Sequence, residues 1–231
     1  MLDLSAAEWT ALKLSLRIAL VATAWAVPFA VLIGWLLARK NFWGKTILDG
    51  VVHLPLVLPP VVTGYLLLIG FGRKGLIGGF LYDHFGIVFA FRWTGAALAA
   101  AVMGFPLMVR PIRLALETID RRLEDAAATL GANRVLVFLT VTLPLALPGI
   151  IAGVLLCFAR ALGEFGATIT FVSNIPGETQ TLSAAIYTFL QIPDGEAPAA
   201  RMVVIAIILA FAALFAAEWF GRRATTRFHG E

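Results

Sequence analysis

The chain has little charge and almost no cysteine. Asp, Glu, Lys and Arg make up only 14% of its 231 residues, while 60% are hydrophobic. A soluble domain carries about a quarter charged residues, so this composition excludes an ordinary soluble fold. The single cysteine, Cys157, excludes an intrachain disulfide and a cysteine-based metal site. His53, His84 and His229 are too scattered for metal-ligand spacing, so no metal is expected. No segment carries a complete glycine-rich phosphate loop ending in Gly-Lys-Ser/Thr, which places ATP hydrolysis outside this chain. A membrane enzyme would need a nucleophile–base set or a metal cluster, and neither is present. A secondary transporter is the alternative of another class, but it would be expected to show repeated halves, and no clear repeat is visible. The N-terminus lacks the pattern of a removable signal peptide. No linker or charge block divides the sequence, so residues 1–231 read as one domain with its core at about 11–220.

What is present is long apolar runs. The mean hydropathy is +0.90. About 20 apolar residues cross a bilayer as a helix. Five runs approach that length, at roughly 11–38, 51–71, 94–116, 141–162 and 201–220. The reading is an all-α polytopic membrane protein. Lys13 and Arg17 share a face of the first run and can snorkel toward headgroups. Pro28, Pro106 and the group Pro55, Pro59, Pro60 lie in or beside the runs, either as packing kinks or as lining of a path. Gly34, Gly64, Gly70, Gly104 and Gly153 suit close helix contact.

The net charge of +4 is a topology signal, not a nucleic-acid one. Arg39, Lys40 and Lys45 follow the first run; Arg110, Arg113, Arg121, Arg122 and Arg134 cluster around the end of the third. Arg222, Arg223 and Arg227 follow the fifth. The other side holds Arg73, Lys74 and Arg92. The positive-inside rule puts the N-terminus outside and the C-terminus in the cytoplasm. Segment 163–200 is then external, and Thr181 to Ile192 suits a short amphipathic helix.

Segment 117–140 is cytoplasmic on this count. It holds a helix at about 120–136, with Asp120 as N-cap and Glu124 and Asp125 in the turns the dipole favours for acids. Ala126, Ala127 and Leu130 share a face. Gly131 ends the helix or admits another backbone. Leu143-Pro144 marks re-entry. Such a helix either lies on headgroups or fits a groove on a partner.

Asp125-Ala126-Ala127, Gly131, Val141 and Leu143-Pro144 resemble the loop shared by permease subunits of ATP-binding-cassette importers. Asp125 stands where that pattern has Glu, and Val141 where it has Ile. The resemblance implies a coupling helix that docks on an ATPase subunit, through Glu124, Asp125, Ala126, Ala127, Leu130, Gly131, Leu143 and Pro144. Residues 53–65, 105–110 and 158–168 are similar to molybdate importer permeases. Sulfate/thiosulfate permeases share part of this. The resemblance implies the type I importer permease fold (MetI-like), an inner-membrane homodimer around one oxyanion path and two cytoplasmic ATPase copies. It also implies an external binding protein that selects molybdate, tungstate or sulfate. ATP and magnesium belong to the ATPase, and no cofactor is expected on this chain.

Arg160 and Glu164 are four apart near the external end of the fourth run. They either lock the helix end or weakly attract substrate. Gly163, Phe165, Gly166 and Ala167 suggest an unwound external gate, with hydroxyls from Thr168 and Thr170. Pro59, Pro60 and Thr63, with Tyr65, are expected along the path. A path of this kind should bind its ion weakly.

Overall fold

The computed structural model describes the backbone of residues 4–229 and the side chains of residues 4–216 and 219. The side chains of Arg222, Arg223, Arg227 and His229 lie outside the described residues. Every regular element among the described residues is a helix.

Helix α1 spans Ala6–Arg39. It begins earlier than the apolar run because Ser5 and Glu8 form a capping box, with Glu8 Oε2 accepting from Ser5 N at 2.6 Å. Arg17 is exposed and has an aromatic partner. Its guanidinium lies 3.8 Å from the centre of the Trp93 ring.

The second run is not one helix. It forms α2 (Lys45–Val57) and α3 (Pro60–Phe71), bent by 117°. The cause is local. Leu58 precedes a proline and takes an extended conformation, φ −71° and ψ 143°. Pro59 is extended too, and Pro60 then opens α3, where its missing N–H costs nothing. A further helix, α4 (Leu76–Phe85), follows in the segment left unassigned by hydropathy.

Helix α5 covers Trp93–Thr118, and the short α6 covers Arg121–Thr129. The fourth span begins at Arg134, ahead of its apolar run, because Asn133 Oδ1 accepts from Leu136 N at 2.9 Å. It runs as α7 (Arg134–Val137), a π turn (Phe138–Thr142) and α8 (Leu143–Leu162). Pro144 has no N–H to give the preceding turn. A wider turn immediately before it accommodates that loss without ending the helix.

After a break come α9 (Gly166–Val172), α10 (Leu182–Phe189) and α11 (Glu196–His229). The expected amphipathic helix is therefore present as α10, shorter than its apolar pattern. Among the described residues, four helical spans are long and apolar enough to cross a bilayer, and the bent pair makes a fifth if counted as one.

Lipid tails are as apolar as leucine, so helices associate here through close packing of small residues. Ala19, Ala22, Ala26 and Ala30 form a buried line on α1. Ala96, Ala97, Ala99 and Ala100 bury the facing stretch of α5. A Cβ on Gly34 would stand 2.9 Å from Ile112 Cγ2, and one on Gly104 2.6 Å from Cys157 Sγ. Gly153 packs equally closely on the Met108 carbonyl, and Gly64 on that of Ala167. Gly70 does not belong with them, since a Cβ there would meet nothing within 4 Å. Two polar contacts fasten α10 and α11 to α1. Ser15 Oγ accepts from Leu182 N at 2.6 Å, and Arg201 Nη2 pairs with the buried Glu8 carboxylate at 3.0 Å.

Candidate functional site: the α6 helix and the Pro60–Gly166 junction

Helix α6 buries none of its residues. Asp120 caps it, accepting from Arg122 N at 3.0 Å. Its other end is closed by Gly131 at φ +89°, with Gly131 N bonded to Ala128 O and Ala132 N to Ala127 O. That pair of bonds is a Schellman closure, which needs a residue able to adopt the left-handed conformation. Gly131 therefore acts within this chain as a stop. No neighbouring backbone approaches it, and a Cβ there would meet nothing within 4 Å. Asp125, Ala126 and Leu130 face outward, with Leu130 90% exposed; Ala127 is half-buried.

Glu124 differs from its neighbours. Its Oε1 accepts from Arg39 Nη2 at 3.1 Å and from the Thr142 hydroxyl at 2.7 Å. Arg39 is the last residue of α1, and Thr142 is the last of the π turn. The carboxylate thus fastens α6 to two membrane spans. Leu143 and Pro144 are half-buried at the start of α8. Arg39 and Thr142 carry no local sequence signal for this role, since Arg39 is 85 positions from Glu124.

At the opposite end of α8, Arg160 Nη1 lies 2.6 Å from Glu164 Oε2. The two do not share a regular helix, because α8 ends at Leu162. Glu164 turns back at the break, is 1% exposed, and uses Oε1 to accept from Ala167 N at 2.7 Å. It caps the start of α9 while holding the end of α8. The segment after it is less unwound than its small residues suggest: only 163–165 leave the helix. Thr168 and Thr170 do not offer free hydroxyls. They donate to the carbonyls of Phe165 and Gly166 at 2.8 and 2.9 Å. Phe165 packs on the Tyr187 ring at 5.1 Å.

The proline segment and this break meet. A Cβ on Gly166 would stand 2.7 Å from Pro60 Cβ. Thr63 is buried beside Gly64, while Pro59, Pro60 and Tyr65 are exposed. The structure so brings Pro60 and Gly64 against Gly166 and Ala167 in one junction between α3 and α9, with Thr63 buried beside it. Among the described residues no group of His, Cys, Asp and Glu could hold a metal ion. Gly44-Lys45-Thr46 opens α2, but Arg39 stands where a phosphate loop has its first glycine.

Comparison with known proteins agrees with this architecture. Residues 30–226 match the family model for the binding-protein-dependent transport system inner membrane component. The molybdenum transport system permease protein ModB of Escherichia coli (strain K12) is 62% identical over 93% of this chain and 94% of its own length. ModB of Haemophilus influenzae is 57% identical over 94% of both. The sulfate transport system permease protein CysT of Salmonella typhimurium is more distant, 38% identical over 92% of this chain and 78% of its own. Among solved structures, the MetNI methionine ABC transporter in its inward-facing form superposes with a TM-score of 0.68 at 17% identity, covering 93% of this chain and 94% of that one. A bacterial alginate ABC transporter gives 0.72 at 18% identity, covering 99% and 82%. The fold is that of ABC transporter permeases, and the chain belongs to the family of binding-protein-dependent transport system inner membrane components.

Proposed function

We propose that this chain is the membrane-spanning permease subunit of an importer for molybdate, driven by ATP hydrolysis on a separate subunit. The observation that carries the drive is α6. It buries none of its residues, is closed at Gly131, and is tied through Glu124 to α1 and to the π turn before α8. A helix held from behind and presenting Asp125, Ala126 and Leu130 outward suits a groove on an ATPase. Asp125, Ala126, Ala127, Leu130 and Gly131 make the docking face in this reading. Glu124, Leu143 and Pro144 belong to the transmitting base.

The chain works as one transmembrane unit, paired with a second copy around a common path. Two ATPase copies dock on the cytoplasmic side, where the C-terminus also lies. An external binding protein delivers the anion. Relatives named for molybdenum transport, at 62% and 57% identity, support molybdate over sulfate, whose named relative is at 38%. The Pro60–Gly166 junction, with Pro59, Thr63, Phe165 and Thr168, flanks the external gate, and Arg160 and Glu164 hold its frame.

The test is uptake into proteoliposomes holding the permease and its ATPase, with the external binding protein supplied. ATP-dependent molybdate accumulation is expected. Faster accumulation of sulfate than of molybdate, with the same components, would reject the substrate. No accumulation of either oxyanion would reject the importer reading.

A further inference from the structure

Away from α6 and the α3–α9 junction, a cavity of about 310 Å³ opens between α2 and α5, lined by Asp49, His53, Arg110, Arg113, Leu114 and Glu117. Five of these six side chains are ionisable, in a chain that has few. Arg113 bridges the two helices: Nη1 donates to Asp49 Oδ1 at 3.0 Å and Nε to Glu117 Oε1 at 2.8 Å. His53 donates from Nδ1 to the Asp49 carbonyl at 2.9 Å. Both carboxylates are therefore already turned to one guanidinium. Arg110 is exposed and makes no hydrogen bond or ion pair among the described residues.

Depth makes this arrangement informative. Arg110 lies ~12 Å along the axis from the end of α5 at Thr118, by the helical rise per residue. Helix α5 is ~39 Å long by the same rise, against ~30 Å of hydrocarbon. A centred helix puts Arg110 several ångströms inside the hydrocarbon layer. An ionised side chain at such depth faces water, a partner or a pathway rather than lipid tails.

We propose that this cavity is a weak binding site for a tetrahedral oxyanion, met on the cytoplasmic half of the path. It rests on the transport reading and orientation given above. Arg110 supplies a whole unused guanidinium, and Arg113 keeps N–H donors beyond the two it commits. Among the arginines and carboxylates that line it, two of each balance, so the cavity attracts an anion without a large net charge. That balance suits a passing site, which must release what it binds. A lipid phosphate has the same chemistry as the transported anion, so the test must separate them.

Radiolabelled molybdate binding is measured by equilibrium dialysis on the permease–ATPase complex, without binding protein, in phosphatidylcholine nanodiscs. Wild type binds weakly and saturably. Arg110→Gln lowers affinity by about ten-fold, the loss of one charge-assisted contact, and Arg110→Lys lowers it less. Glu117→Gln, which removes a competing carboxylate, raises it. Unchanged affinity in folded Arg110→Gln, or no rise in Glu117→Gln, overturns the site. Loss of molybdate binding in nanodiscs of phosphatidylglycerol assigns the cavity to headgroup phosphate and also overturns it. Wild-type uptake in proteoliposomes is run in parallel. If uptake fails, the transport reading falls; if uptake stands while the variants bind as wild type does, only the cavity falls.

Discussion

Arg39 and Glu124 meet at 3.1 Å, and the same Arg39 nitrogen reaches the Ile119 carbonyl at 3.2 Å. The last residue of the first span therefore grips both the exit from α5 and the first turns of α6. The Thr142 hydroxyl closes the arrangement on the same carboxylate oxygen. Force applied to α6 has a short polar route into α1 and α8, in addition to the backbone.

Neutralising that carboxylate should weaken coupling before it weakens assembly. Glu124→Gln keeps an acceptor for Thr142 but loses the ion pair with Arg39, a side chain only 8% exposed. A charge-assisted hydrogen bond contributes about 1.5–3 kcal/mol. Molybdate uptake per ATP hydrolysed should fall about ten-fold, while the ATPase still copurifies. A variant that transports with wild-type stoichiometry would show that Glu124 is not in the route.

Gly131 separates backbone strain from partner contact. Its φ of +89° disfavours any residue with a Cβ, while the space around it is open within this chain. Gly131→Ala and Gly131→Arg share a backbone cost of about 1–2 kcal/mol. Only the arginine also projects into whatever docks on α6. Copurification of the ATPase should survive Gly131→Ala and be lost in Gly131→Arg. Equal loss in both would assign the defect to the helix end alone.

The parts of this architecture readable from sequence are those with local causes. Asp120 and Gly131 mark α6 correctly because a cap and a left-handed stop act within a few residues. The bend at Leu58 was within reach too, through the rule for a residue before proline, but unbroken hydropathy across 51–71 hides it. Hydropathy records what lipid tolerates, not where a helix turns. The start of the fourth span is likewise set by the Asn133 cap, ahead of the apolar residues. Glu124 illustrates the other limit. Its acid position near a helix start fits a dipole argument, yet its partners, Arg39 and Thr142, come from distant segments. The Asp49–Arg113 contact is equally silent, although the spacings Asp49–His53 and Arg113–Glu117 are visible as i, i+4 pairs.

The α5–α8 contact should be intolerant of one added methyl. A Cβ on Gly104 would stand 2.6 Å from Cys157 Sγ and 3.2 Å from the Cys157 carbonyl. Overpacking of this kind costs about 1–3 kcal/mol. Gly104→Ala should lower the unfolding temperature in detergent. Cys157→Ala should restore part of that loss in the double variant, since the sulfur is gone but the carbonyl remains. Cys157 is fully buried, so in the folded wild type it should also resist maleimide, and reaction at the rate of an exposed thiol would contradict the packing.

The Arg160–Glu164 pair predicts an asymmetry between its two partners. Glu164 is 1% exposed on its side chain, whereas Arg160 is 27% exposed. Removing the arginine leaves a buried carboxylate without its counter-charge, and breaking a buried pair in that sense costs about 3–5 kcal/mol. Removing the charge on the carboxylate instead leaves an arginine that is only partly buried. Glu164→Gln also keeps an oxygen to accept from Ala167 N, so the cap on α9 survives. Arg160→Ala should therefore destabilise the chain far more than Glu164→Gln, read as thermal unfolding in detergent. Combining the two should recover much of the arginine variant's loss, because no buried charge remains. If Glu164→Gln is the more damaging change, the carboxylate has a task in its charge beyond the frame, and contact with the transported anion's path becomes the better account of it.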